Sequence, residues 1–379
     1  MTSFSFATTR AIACEPGAAA KLGAQAAALG IRRALIVTDQ GIIKAGLLRT
    51  TLDSLAAAGI AVDIYADVVA DPPEAIVRTA VARAKSFGAD GIIGFGGGSS
   101  MDTAKLVAFL AVSKQDLSEI YGIGFAKGKR LPLILVTTTA GTGSEVTPIA
   151  IVTTGETTKA GVVSDPLYPD LAVLDADLTL GLPPHVTAAT GIDAMVHAIE
   201  AYTTRHKKNE MSDMLAVKAL HLLARNIRTV VFDGQNRTAR SNMLFGACLA
   251  GMAFANAPVA AVHALAYPIG GQFHVAHGLS NSLMLTHVLR FNLPAASPLY
   301  GQLAPVITGD ANAKAVAMID WLETLRQDLK IETQLRQVGI GHNHLPGLAE
   351  DAMKQTRLLV NNPREVTYDD ALALYTQAL

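Results

Sequence analysis

Apolar positions recur along this chain with two different periods, and the period changes near the middle. In the first half, short β-branched runs at residues 34–38, 61–65, 91–95, 133–136 and 171–174 alternate with alanine-rich stretches at 16–29, 47–58, 74–87 and 101–112. Near-continuous apolar strands separated by amphipathic stretches predict a parallel sheet with helices on its faces. Past Leu182-Pro183-Pro184 the strand-like runs stop, and from Val186 onward apolar residues follow helical spacing to a last helix at 368–378. The expected fold is an α/β, Rossmann-like dinucleotide-binding domain over residues 1–182 and an all-α domain over 183–379. The first dozen residues read as a further strand, and 5–13 could pair with its twin in a second copy.

Composition narrows the function classes. At 379 residues the chain exceeds the size at which one core keeps growing, which agrees with two domains. Half of it is hydrophobic and 17% is charged, yet the most apolar region, 249–271, is interrupted by Asn256, Pro258, His263 and Pro268. A membrane span needs about 20 mainly apolar residues in a row, so buried helices are expected and no membrane partner. A net charge of -1 offers no electrostatic footprint for nucleic acid. Cys14 and Cys248 match neither a CxxC motif nor a disulfide framework, and the first residues lack the pattern of a signal peptide, so the expected compartment is the cytoplasm.

Two constellations carry chemistry. Gly96-Gly97-Gly98-Ser99-Ser100 joins a predicted strand to a predicted helix, where a backbone free of side chains can approach a pyrophosphate at a helix N-terminus. Asp39, at the end of the 34–38 strand, could accept from a ribose 2′-hydroxyl, which favours NAD over NADP. The run Thr137-Thr138-Thr139-Ala140-Gly141-Thr142-Gly143-Ser144-Glu145 suits the wall of a nucleotide site. The second constellation is metal-like. Residues 241–289 contain no Asp, Glu, Lys or Arg but hold His263, His274, His277 and His287, and upstream Asp193 and His197 share one helical face at i and i+4. Asp193, His197, His263 and His277 make an oxygen- and nitrogen-rich set suited to Fe²⁺ or Zn²⁺. The histidines at 185, 206, 221, 287, 342 and 344 read as ordinary core or surface residues.

These motifs, together with Ala188-Ala189-Thr190-Gly191-Ile192-Asp193-Ala194-Met195-Val196-His197 and the late Asn362-Pro363-Arg364, resemble the iron-containing (group III) alcohol dehydrogenases from end to end. The resemblance implies metal ligands at Asp193, His197, His263 and His277, and cofactor contacts at Asp39, Gly96, Gly97, Gly98, Ser99, Asp102, Thr138, Thr139, Thr142, Ser144 and Lys159. It implies NAD, a divalent metal with Fe²⁺ preferred and Zn²⁺ accepted, and a homodimer or larger homo-oligomer. Many members carry a histidine four residues after the third ligand; here that position is Tyr267, whose hydroxyl could relay a proton, as could the imidazole of His274. The expected reaction is hydride transfer between the nicotinamide and a short-chain alcohol or aldehyde, the metal polarising the substrate oxygen. A hydroxy-acid oxidoreductase or hydroxyacid-oxoacid transhydrogenase of the same family is the first alternative. An NAD-using lyase or cyclase of the dehydroquinate synthase type is more remote, because 241–289 lacks the lysines and arginines a phosphorylated sugar would require.

Overall fold

The structure, a computed structural model, describes residues 3–155 and 158–379. The chain divides into two compact units, Thr8–Gly181 and Leu182–Leu379, with residues 3–7 joining the second.

In the first unit the strands are β1 (Ile12–Cys14), β2 (Arg33–Asp39), β3 (Ala61–Val68), β4 (Gly91–Gly96), β5 (Gly122–Ile123), β6 (Leu133–Thr137), β7 (Ile149–Thr154), β8 (Thr158–Val163) and β9 (Leu171–Leu174). Six of them form an all-parallel sheet in the order β1-β9-β6-β4-β2-β3. Every residue of β4, β6 and β9 is buried, as expected for strands covered on both faces. Alternation divides the core: Ile36, Ile93, Phe95 and Val136 pack on one side, and Leu35, Val37, Ile92 and Leu135 on the other. The helices here are α1 (Leu22–Ala28), α2 (Gln40–Lys44), α3 (Arg49–Ala57), α4 (Glu74–Phe87) and α5 (Gly98–Leu110).

Three details depart from the pattern read in the sequence. The predicted 16–29 helix is a 3-10 turn, Ala18–Lys21, leading into α1. The N-terminal strand is confined to Ile12–Cys14 and pairs in parallel with β9 of its own chain. The connection from β6 to β9 holds an antiparallel β7–β8 pair that forms a second, three-stranded sheet with β5, where the sequence pattern gave no element.

The second unit is helical: α6 (Pro184–Thr203), α7 (Glu210–Phe232), α8 (Arg237–Asn256), α9 (Ala261–Phe273), α10 (His277–Thr308), α11 (Ala315–Asp328), α12 (Leu345–Met353), α13 (Thr356–Leu359) and α14 (Tyr368–Ala378). From Gly191 to Ala201 every residue of α6 is buried, the pattern of a helix surrounded by others. Among the described residues no single helix is long and apolar enough to cross a membrane; α8 and α9 pass such a test only as a pair, and they meet at a 106° bend. Residues 3–7 are tied on through Asn256, whose amide exchanges two hydrogen bonds with the Ala7 backbone, each 2.8 Å.

Candidate metal and nucleotide sites

Three helices bring the metal-like side chains together. Asp193 and His197 project from one face of α6, His263 from the first turn of α9, and His277 from the first residue of α10. One ligand atom from each of the four lies within 4.8 Å of all the others. Asp193, His197 and His263 are buried, while the His277 side chain is 30% exposed and forms the open side of the group. The His197 ring stacks on Phe254 at 4.3 Å and on His263 at 4.7 Å, so apolar and aromatic surface fixes its plane.

Nδ1 of His263 lies 2.7 Å from Oε2 of Glu200, so Nε2 is the ring nitrogen turned toward the other three side chains. The amide nitrogen of Asn281 sits 2.6 Å from Oδ1 of Asp193, 3.2 Å from Nε2 of His263 and 3.3 Å from Nε2 of His277. Two amide protons cannot serve three acceptors, and the Asn281 carbonyl oxygen is itself buried without a hydrogen-bond partner. Burial alone would raise the Asp193 carboxyl, but attraction to His197, His277 and His263, with the Asn281 amide, holds it below the ordinary aspartate value. A surplus of inward-facing lone pairs around an ionised carboxylate is what a divalent cation satisfies, so these residues fit the implied metal.

The nucleotide-like residues converge in the other unit, where the strand order reverses. The chain passes from β2 outward to β3 and then back to β4 on the other side, and crevices at such switch points take ligands at the carboxyl ends of strands. Asp39 ends β2 and caps α2 through the Ile42 amide at 3.1 Å. Its other oxygen accepts from the Ser100 hydroxyl at 3.3 Å, which ties it to the glycine segment. Gly96 has φ +148°, in the region that favours glycine, and a Cβ on Gly98 would lie 2.9 Å from the Thr142 methyl. The threonine loop packs directly against the glycine loop, and the Thr138 amide donates to the Gly96 carbonyl at 3.0 Å. The helix cap is Gly97, so α5 starts three residues before the expected 101 and Gly98, Ser99 and Ser100 form its first turn.

Behind that turn lies a buried charge network. Asp102 accepts from the Ser144 hydroxyl at 2.5 Å and the Ile151 amide at 3.0 Å. Lys105, wholly buried, donates to Ser144 Oγ at 2.7 Å and to the Ile149 carbonyl at 2.6 Å. Burial lowers the Lys105 ammonium from its usual value against the pull of Asp102 and Glu145, and burial raises the Glu145 carboxyl to about 7. Asp102 and Ser144 thus brace the two loops against each other. Lys159, on β8, forms an ion pair with Asp71 at 2.6 Å.

Of the two proton-relay candidates, Tyr267 is one turn beyond His263 on α9, with its ring 6.5 Å from His263 and 5.8 Å from His277 between centroids. His274 is exposed at the left-handed C-cap of α9 and is not part of the four-residue group. Glu200, Asn281 and Lys105 escaped the sequence reading. Glu200 stands at i+7 from Asp193 and Asn281 at i+4 from His277, on the ligands' own faces, and that spacing was the available signal.

Comparison with known proteins gives one family over nearly the whole chain. The family described as iron-containing alcohol dehydrogenase matches residues 9–176, and the C-terminal part of the Fe-containing alcohol dehydrogenase family matches 187–379. The chain is 40% identical over 370 residues to long-chain-alcohol dehydrogenase 1 of Geobacillus thermodenitrificans (strain NG80-2), covering 96% of this chain and 93% of that one. It is 37% identical over 350 residues to the sulfoacetaldehyde reductase of Bilophila wadsworthia (strain 3_1_6), covering 90% of each. The crystal structure of a 1,3-propanediol oxidoreductase superposes with a TM-score of 0.96 at 35% identity, over the full length of both chains.

Proposed function

The chain belongs to the iron-containing alcohol dehydrogenase family, and on that footing we propose that it interconverts a short, neutral alcohol and its aldehyde with NAD, using a divalent metal held by Asp193, His197, His263 and His277. When bound, the metal and the nicotinamide supply Lewis-acid polarisation of the substrate oxygen and a hydride acceptor or donor. The protein's own part is orientation and charge. Asp193, kept ionised, and three imidazoles turned inward form the ligand set; the observation that carries the reading is the convergence of their four ligand atoms. Phe254 and the buried helices around His197 keep bulk water from that side. Tyr267, whose ring lies beside those of His263 and His277, is the proposed proton carrier.

For the cofactor, the proposed contacts are Asp39, Gly96, Gly97, Gly98, Ser99, Asp102, Thr138, Thr139, Thr142, Ser144 and Lys159. The Asp39 carboxylate would accept from a ribose 2′-hydroxyl and repel a 2′-phosphate, which supports NAD. A neutral substrate is favoured by the absence of Lys and Arg from 241–289, and the Geobacillus relative is named for long-chain alcohols. The Bilophila relative is named for an aldehyde that carries a sulfonate, which favours a second reading with an anionic aldehyde or hydroxy acid. A cytoplasmic homo-oligomer is proposed alongside; a reducing compartment is consistent with Cys14 and Cys248 standing outside any disulfide.

The test is oxidation of NADH and NADPH by metal-depleted protein resupplied with Fe²⁺ or Zn²⁺, across neutral aldehydes and across 2-oxo and semialdehyde acids. Metal-restored NADH oxidation with neutral aldehydes is expected, and Asp193→Ala and His277→Ala should abolish it. Turnover confined to the acids would move the assignment to the second reading, and activity that survives complete metal removal would defeat both.

A further inference from the structure

Glu200 is a buried carboxylate, 3% exposed, that the ligand set does not use. It lies on α6, three residues beyond His197, and all of its side-chain contacts come from donors. The Val262 amide reaches Oε1 at 2.7 Å, the Ala260 amide reaches Oε2 at 2.9 Å, and Nδ1 of His263 reaches Oε2 at 2.7 Å. Ala260 is the N-cap of α9 and has no side chain that could cap it, so a carboxylate from a neighbouring helix supplies the missing acceptor. One residue thereby joins the helix that carries Asp193 and His197 to the first turn of the helix that carries His263.

We propose that Glu200 is a positioning residue of the metal site: it holds His263 as the Nδ1–H tautomer, with Nε2 aimed at the metal. The proposal rests on the metal-site reading above. Burying a carboxylate is costly, and a helix start alone needs only a neutral acceptor. Three donors aimed at two oxygens call for an acceptor-only group, which a glutamine is not. With Glu200→Gln, an NH₂ at the Oε1 position meets the Val262 N–H, a clash of donors, and one at the Oε2 position meets both the Ala260 N–H and His263 Nδ1. The second placement drives the ring proton to Nε2 and removes a ligand lone pair.

The experiment is titration of the metal-free full-length protein with Zn²⁺ and Co²⁺ against a competing chelator, with the visible spectrum of the Co²⁺ form as a second readout. Glu200→Gln is expected to weaken metal binding by about 10- to 100-fold and to shift the Co²⁺ bands. In a His263→Ala background the same change is expected to cost nothing further, because the partner through which it acts is gone. Unchanged affinity and spectrum would overturn the proposal, as would an equal loss in the His263→Ala background, which would reduce Glu200 to an anchor of α9. Failure of the wild-type protein to bind either metal would instead defeat the metal-site reading itself. Should Glu200→Gln not fold, ¹⁵N-histidine spectra of the Zn²⁺-loaded wild type read the tautomer directly. A hydrogen-bonded Nδ1–H on His263 supports the proposal, and a proton on Nε2 overturns it.

Discussion

Tyr267 stands where the family resemblance leads one to expect histidine, and a phenol titrates near 10 when unperturbed, so proton transfer through it depends on placement. Its ring lies against both His263 and His277. Removing only the hydroxyl, Tyr267→Phe keeps that packing and should lower kcat by about 100-fold with metal content and KM retained; steady-state kinetics on metal-saturated protein would decide it, and an unchanged kcat would take the proton path elsewhere. His274→Ala, at an exposed turn, should leave kcat close to wild type. At this scale the sequence was legible where spacing alone defines a face. Asp193 and His197 share a helical turn, and imidazoles stand out in a segment free of charge. Glu200 was legible only as a spacing, seven residues beyond Asp193 on the same helical face. Only the packing of α6 on the entry to α9 turns it inward.

Helix ends, more than helix bodies, set the ligand geometry. His277 begins α10, and a Cβ on the next residue, Gly278, would fall 2.4 Å from the Ala189 carbonyl oxygen of α6 and 3.2 Å from the Asp193 Cβ. Gly278→Ala gains at most about 1 kcal/mol of helix propensity. Against that, the clash is with backbone that cannot rotate away, and overpacking of this kind costs about 1–3 kcal/mol. The clash should win, lowering the melting temperature and loosening the metal as α10 is pushed off α6; normal melting and full metal content would show that the two helices can separate without cost. The buried parallel strands were legible from their β-branched runs. The β7–β8 pair was not, since a two-stranded excursion stands where a helix usually links adjacent parallel strands, and the glycine triplet hid the true start of α5. Pro294, Pro298 and Pro305 lie within α10, so its 32-residue length is equally hard to read from a sequence in which proline usually marks a boundary.

At the scale of the whole molecule, the change of period near Leu182 separates the two proposed sites. All the metal-like ligands, with Glu200 and Asn281, belong to the helical unit, and all the residues assigned to the nucleotide belong to the α/β unit. Each set is held by its own core, so binding to one does not require the other to be loaded. Metal-free protein should therefore still bind NADH, followed by nicotinamide fluorescence, while turnover is lost. Gly98→Val, which drives a branched side chain into Thr142, should do the reverse, abolishing NADH binding and keeping the metal. Loss of NADH binding on chelation would mean that the metal also organises the nucleotide site. Loss of metal in Gly98→Val would mean that the two units do not fold independently, and either result would replace two autonomous sites with one coupled site.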